Sequence, residues 1–193
     1  MEPSRVPMNW GSRCKLTSKG KGSTMRITTC LAAVILPALV TTGLAFAQDE
    51  QAKSFLTEAI EGNLAEVQMG QLAQKLATTQ SVRAYGQMLE QDHTVANQKA
   101  RAAANSMQVK PPTQPNSKQK ADYDRLSQLI GIEFDAQFAD HMVMDHKEDI
   151  QKYEKAAAMD NPAGAYAKEA LPTLRKHEQN AQALKSATTG SAR

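Results

Sequence analysis

MVMDHKEDIQKY, residues 142–153, decides how the chain is read. At 3.6 residues per turn Met142, His146, Ile150, Tyr153 and Ala157 fall on one face, the pattern of an amphipathic helix rather than a strand. His146 occupies a place on that face where an apolar core side chain is expected, with Asp145 beside it. Similar text recurs upstream, where Asp92-His93 is followed by Gln98 and Lys99 as Asp145-His146 is followed by Gln151 and Lys152. The likeness is too thin for a structural repeat, yet it singles out His93 as a second histidine to follow.

Outward from this stretch the chain reads as helix in both directions. The helix around His146 is predicted over 132–158, where Asp160-Asn161-Pro162 stops it and offers Asn161 as the next N-cap and Pro162 as a first helical residue. A last helix is predicted over 162–186, with Pro172 expected to kink or restart it near Leu171. On the N-terminal side, Phe55, Leu56, Ile60, Leu64, Met69, Leu72 and Leu76 give a helix over 51–77. Thr78, Thr79 and Ser81 form a turn that can cap a helix over 82–106, whose inner face carries Val82, Tyr85, Leu89, His93, Ala96 and Ala100. The segment QVKPPTQPNS at 108–117 must leave the helix because of its prolines, a short helix follows at 118–130, and Gly131 permits a break. No run alternates at period two for long enough to make a strand. The expected fold is therefore all-α, a four-helix bundle over 48–186 with a long crossover containing a short extra helix. Such a crossover allows the second and third long helices to run parallel, and an up-down-up-down order is the alternative.

The ends of the chain read differently. Residues 25–47, MRITTCLAAVILPALVTTGLAFA, have a cationic start, an apolar run and small residues before Gln48, the pattern of a signal peptide cleaved after Ala47. Pro37, Thr41 and Thr42 interrupt the run and acidic Asp49 and Glu50 follow it, so no stable membrane span is expected after cleavage. Residues 1–24 read as an unstructured leader or a misassigned start, and 187–193 as a disordered tail. Removing the first 47 residues takes away six of the 23 basic and one of the 20 acidic residues, leaving 17 against 19 and a formal charge of −2. The basic balance thus belongs to the leader, and nucleic acid is not an expected partner. Both cysteines, Cys14 and Cys30, leave with it, so the mature chain holds itself by its core and not by disulfides. The expected location is the periplasm or cell envelope; self-association into a homo-oligomer is compatible with the sequence, which fixes no number of copies.

Four polar residues stand near the midpoints of the four long helices: Glu66, His93, His146 and His177. Helices of similar length packed side by side bring their midpoints to one level, whichever way each runs. The four are therefore expected to meet in one central layer, with Glu90, Asp92 and Asp145 as outer groups that orient them.

The ordered text AEVQMG at 65–70, Asp92-His93 with Ala96, Met142-Val143 with Asp145-His146, and Leu171-Pro172-Thr173-Leu174 with His177 resembles the domain of unknown function 4142 family. That resemblance implies an exported bacterial protein with a ferritin-like bundle; it implies no activity. The ferritin-like label suggests a metal, and Glu90-x-x-His93 fits the Glu-x-x-His element of a carboxylate-bridged di-iron centre. Val143 and Leu174 stand where the matching carboxylates before His146 and His177 would be, which argues against that centre. Three imidazoles and Glu66 are a better mononuclear set for zinc, copper or iron. Met69, Met88, Met142 and Met144 are read as packing residues and not as copper ligands. Against any metal stands a plainer reading, in which the buried histidines satisfy one another by hydrogen bonds and fix the helix register.

Catalysis finds little support, for the mature chain has no cysteine nucleophile, no Gly-rich phosphate loop and no serine in a nucleophile setting. Sequence alone thus favours a non-enzymatic envelope protein with a structural, stress-associated or interaction role. The alternative is a metal-binding or redox bundle, with the identity of any cofactor open.

Overall fold

The computed structural model describes residues 40–190, with side chains from 47 to 188. Five helices account for it: α1 Val40–Leu76, α2 Gln80–Ser106, α3 Ser117–Ser127, α4 Gly131–Ala157 and α5 Pro162–Gly190. No strand occurs among the described residues, and none of their helices is long and apolar enough to cross a membrane. The leader and most of the expected signal segment lie outside the described residues. So does the end of the tail.

Local chemistry sets most boundaries where the sequence puts them. Of the three candidate caps, Thr79 takes the extended conformation and accepts from the Val82 amide, opening α2. Asn116 and Gln119 exchange side-chain and backbone hydrogen bonds at the start of α3, a capping box. Asn161 Oδ1 accepts from the Gly164 amide at 3.0 Å, and Pro162 is the first residue of α5 as expected. Gly131 has φ +67°, the left-handed geometry that turns the chain between α3 and α4.

Three boundaries differ from expectation. α1 starts at Val40 and not near 51, because residues 40–50 contain no proline and continue the helical register. α3 ends at Ser127, since Ile130 is already extended at φ −138° and ψ 155°. α5 passes through Pro172 and on to Gly190 without a restart; a proline deletes only one ladder bond, and the buried face on either side of it (Leu171, Leu174, His177) is uninterrupted.

α1 packs along α2 and α4 along α5, and the two hairpins meet mainly where α2 faces α5. Within the first hairpin, α1 and α2 meet backbone to backbone at Gly70 and Gly86. A Cβ on Gly70 would lie 2.5 Å from the Gly86 carbonyl oxygen, and one on Gly86 would lie 2.7 Å from that of Gly70. Glycine is needed here for contact between backbones rather than for an unusual dihedral.

The direction of each helix follows from the residues at each end of the core. One apolar cluster joins the C-terminal halves of α1 and α5 to the N-terminal halves of α2 and α4, through Leu72, Leu89, Phe138 and Leu184. The other joins the opposite halves, through Ile60, Ala100, Tyr153 and Ala167. α2 and α4 therefore run parallel, and the segment carrying α3 returns the chain from one end of the molecule to the other. Asp135 of α4, buried at 1% exposure, reaches the α1–α2 turn and accepts from the Thr78 and Thr79 amides at 2.9 and 2.8 Å. Between the two clusters lies a polar layer.

Candidate metal centre

His93 of α2, His146 of α4 and His177 of α5 meet in that layer, each no more than 4% exposed. Their ring centroids are 5.1 Å apart for His93 and His177, 5.3 Å for His146 and His177, and 5.8 Å for His93 and His146. One ligand nitrogen from each lies within 4.8 Å of one from each of the others.

Each ring is held by one nitrogen and free at the other. His93 Nδ1 donates to Asn63 Oδ1 at 2.9 Å, with Asn63 held in turn by Nδ2 donating to the Tyr166 hydroxyl. His146 Nδ1 donates to the Met142 carbonyl one turn earlier at 3.0 Å. His177 Nε2 donates to Asp92 Oδ2 at 2.9 Å. The remaining nitrogens, His93 Nε2, His146 Nε2 and His177 Nδ1, are buried and have no hydrogen-bond partner among the described residues. With the N–H committed to an acceptor on the outer side, each of these is a bare lone pair.

Burial keeps the rings in that state. Desolvation is the main force lowering the pKa of all three, His146 to about 4, and the neighbouring imidazoles add to the effect at His93. Asp92 pulls His177 the other way without reversing it. All three are neutral near pH 7, the form in which imidazole binds a metal.

Glu66 is equally buried, and its Oε2 lacks a hydrogen-bond partner among the described residues. It groups with Asp145 and His146 and not with the three histidines together. Burial, reinforced by the negative charge of Asp145, raises its pKa well above the usual carboxylate value. The outer groups divide differently from their order in the chain. Asp92 serves His177 of another helix rather than its neighbour His93, Asp145 faces Glu66, and the Glu90 carboxylate is taken by the amides of Gln71 and Gln74. Among the methionines, Met69 and Met142 are core, Met88 is partly buried against it, and Met144 is 71% exposed, so its expected packing role does not hold.

Sequence reasoning missed Asn63, Tyr153 and Tyr166. Asn63 offered a signal: it sits three residues before Glu66 and three after Ile60, a polar side chain in a buried stripe. Tyr153 read as an ordinary core residue and Tyr166 drew no reading; Asn63 donating to the Tyr166 hydroxyl, and the 3.2 Å contact between the two hydroxyls, make them part of the layer.

Neutral imidazole nitrogens with outer acceptors fixing their tautomers are the arrangement found around protein-bound transition metals. A tetrahedral ion with metal–nitrogen distances of about 2.0–2.1 Å sets its ligand nitrogens about 3.3 Å apart, so binding would draw these rings inward. Three nitrogen donors suit zinc, copper or iron, with a fourth position left over.

No curated protein and no solved structure matches the chain. The family model described as Domain of unknown function (DUF4142) matches residues 41–184, from α1 to near the end of α5 and including all four polar residues of the layer. The chain belongs to that family.

Proposed function

We propose that this protein is an exported, ferritin-like helical bundle that binds one transition-metal ion through His93, His146 and His177, with Glu66 beside His146. The two helical hairpins with parallel α2 and α4 support the ferritin-like arrangement, and the composition of residues 25–47 supports export to the periplasm or envelope. One observation carries the metal reading: three buried imidazole nitrogens converge with no partner among the described residues, while the opposite nitrogen of every ring is hydrogen-bonded. An unpartnered buried acceptor costs about 1–3 kcal/mol. A layer serving only to fix helix register would have its nitrogens paired to one another.

The experiment is metal analysis of the untagged mature chain after equilibration with zinc, cobalt or copper, alongside its melting temperature. One tightly held equivalent is expected, with a raised melting temperature. His93→Ala, His146→Ala and His177→Ala should each lose it. A chain that holds no stoichiometric metal and melts unchanged after metal addition returns the layer to a purely structural, non-enzymatic role.

A further inference from the structure

His146 belongs to two groups of potential ligands, and the second lies outside the three histidines. One ligand atom from each of Glu66, Asp145 and His146 lies within 4.8 Å of the others, as is true of His93, His146 and His177. Glu66 projects from α1, while Asp145 and His146 are neighbours on α4. Glu66 is 3% exposed, and its Oε2 and His146 Nε2 are both buried without a hydrogen-bond partner among the described residues. The charges acting on Glu66 are those of Asp145 and Asp149, both acidic. A buried carboxyl beside a second one lacks the cation that would let both ionise.

A cavity of about 90 Å³ leads to this group. It is lined by Asp145 together with Glu58, Glu148 and Asp149, opposite Lys118 and Lys152. Glu148, Lys118 and Lys152 are exposed, so the cavity reaches the surface. Lys152 is paired with Glu148 at 2.9 Å and with Asp149 at 3.7 Å. Carboxyl groups outnumber lysines in this wall, which favours entry of a cation. Asp145 is both part of the wall and a member of the ligand group.

We propose that Glu66, Asp145 and His146 form a second seat for a divalent cation, suited to a hard ion such as manganese(II) and not filled at the same time as the three-imidazole seat. Donor chemistry separates the two seats, since carboxylates suit manganese and imidazoles suit zinc or copper. A cation between Glu66 and Asp145 replaces the repulsion of two carboxylates by attraction to both. His146 makes the seats exclusive. Its Nδ1 donates to the Met142 carbonyl, so Nε2 alone has a lone pair to give, and it can give that pair to one ion only. This competition rests on the metal reading above; the carboxylate seat itself does not.

The test is a manganese(II) titration of the untagged mature chain, followed by the loss of the sharp electron paramagnetic resonance signal of the free ion, with and without zinc. The zinc-free chain is expected to bind one equivalent of manganese. Asp145→Asn and Glu66→Gln should each weaken that binding by about tenfold or more. Zinc should release the manganese. In His93→Ala and His177→Ala, which take an imidazole from the zinc seat alone, release should need about tenfold more zinc. A native chain that binds no manganese overturns this inference and leaves the three-imidazole seat standing. Manganese bound as tightly by both carboxyl variants as by the native chain overturns it too. So does zinc held together with manganese, or release at an unchanged zinc concentration in both histidine variants. Manganese held through Asp145 and Glu66 by a chain that takes up no zinc supports the carboxylate seat and removes the metal reading above.

Discussion

Asp92 accepts from His177 Nε2 at 2.9 Å across the α2–α5 interface, so the residue that immediately precedes one histidine of the layer orients another. Removing this acceptor leaves His177 free to rotate or to exchange tautomer. Asp92→Ala should retain the metal stoichiometry while weakening affinity about 10- to 100-fold, the usual effect of losing an orienting carboxylate. Competition against a chelator of known affinity measures it. Unchanged affinity would mean that packing alone positions the ring.

Gly70 and Gly86 hold α1 and α2 at backbone contact, and Gly62 provides an internal control. Gly70→Ala and Gly86→Ala should each cost about 1–3 kcal/mol, because the nearest atoms are backbone or, at Gly86, also the Ala73 Cβ, and cannot turn aside. A Cβ on Gly62 meets nothing closer than 3.8 Å. Gly62→Ala should therefore stabilise by up to about 1 kcal/mol through helix propensity. Urea denaturation of the three variants separates the two outcomes.

Asp135 fastens the first hairpin to α4 by accepting two backbone amides. Asp135→Ala leaves both without their partner and should cost about 3 kcal/mol, whereas Asp135→Asn keeps one acceptor oxygen and should cost less. Thermal denaturation checks the order. Equal losses would show that the negative charge matters more than the count of acceptors.

Asp149 supplies a pH dependence. Burial first, and then the charge of Asp145, raises its pKa from 3.8 to about 7. Lys152 opposes the shift, and Glu58 of α1, Lys118 of α3 and Glu148 also line its cavity. Because the folded state holds this proton more tightly than the unfolded chain, the group's contribution to stability is greatest below about pH 4 and declines as pH rises to about 7. Asp149→Asn removes that decline. The variant's stability relative to the native chain should therefore rise by about 1 kcal/mol or more between pH 4 and pH 8. Melting temperatures across that range test it, and a difference that stays flat contradicts the shift.

The long helices, the caps at Thr79 and Asn161 and the level shared by Glu66, His93, His146 and His177 were legible in the sequence, through periodicity, cap chemistry and the midpoints of long helices; the Asn116 capping box was not read. Which nitrogen of each histidine faces inward was not legible, since it depends on acceptors such as Asn63 Oδ1 and the Met142 carbonyl that only the packed helices bring near. Asp135 was invisible for the same reason: its partners, the Thr78 and Thr79 amides, lie in a turn more than fifty residues away. The Gly70–Gly86 contact left a trace in the text AEVQMG, but periodicity says nothing about how close two backbones come. Of the kink or restart expected at Pro172, the restart does not occur, because the buried face continues past the proline.

The division of the apolar core by a polar layer bears on how the molecule opens. His93 belongs to one hairpin, and His146 and His177 to the other. An ion shared among them would act as a rivet between two halves whose strongest packing is internal, and would oppose their separation by an amount set by its own affinity and concentration. Amide hydrogen exchange would then slow chiefly along the facing sides of α2 and α5, while the outer faces of α1 and α4 keep their rates.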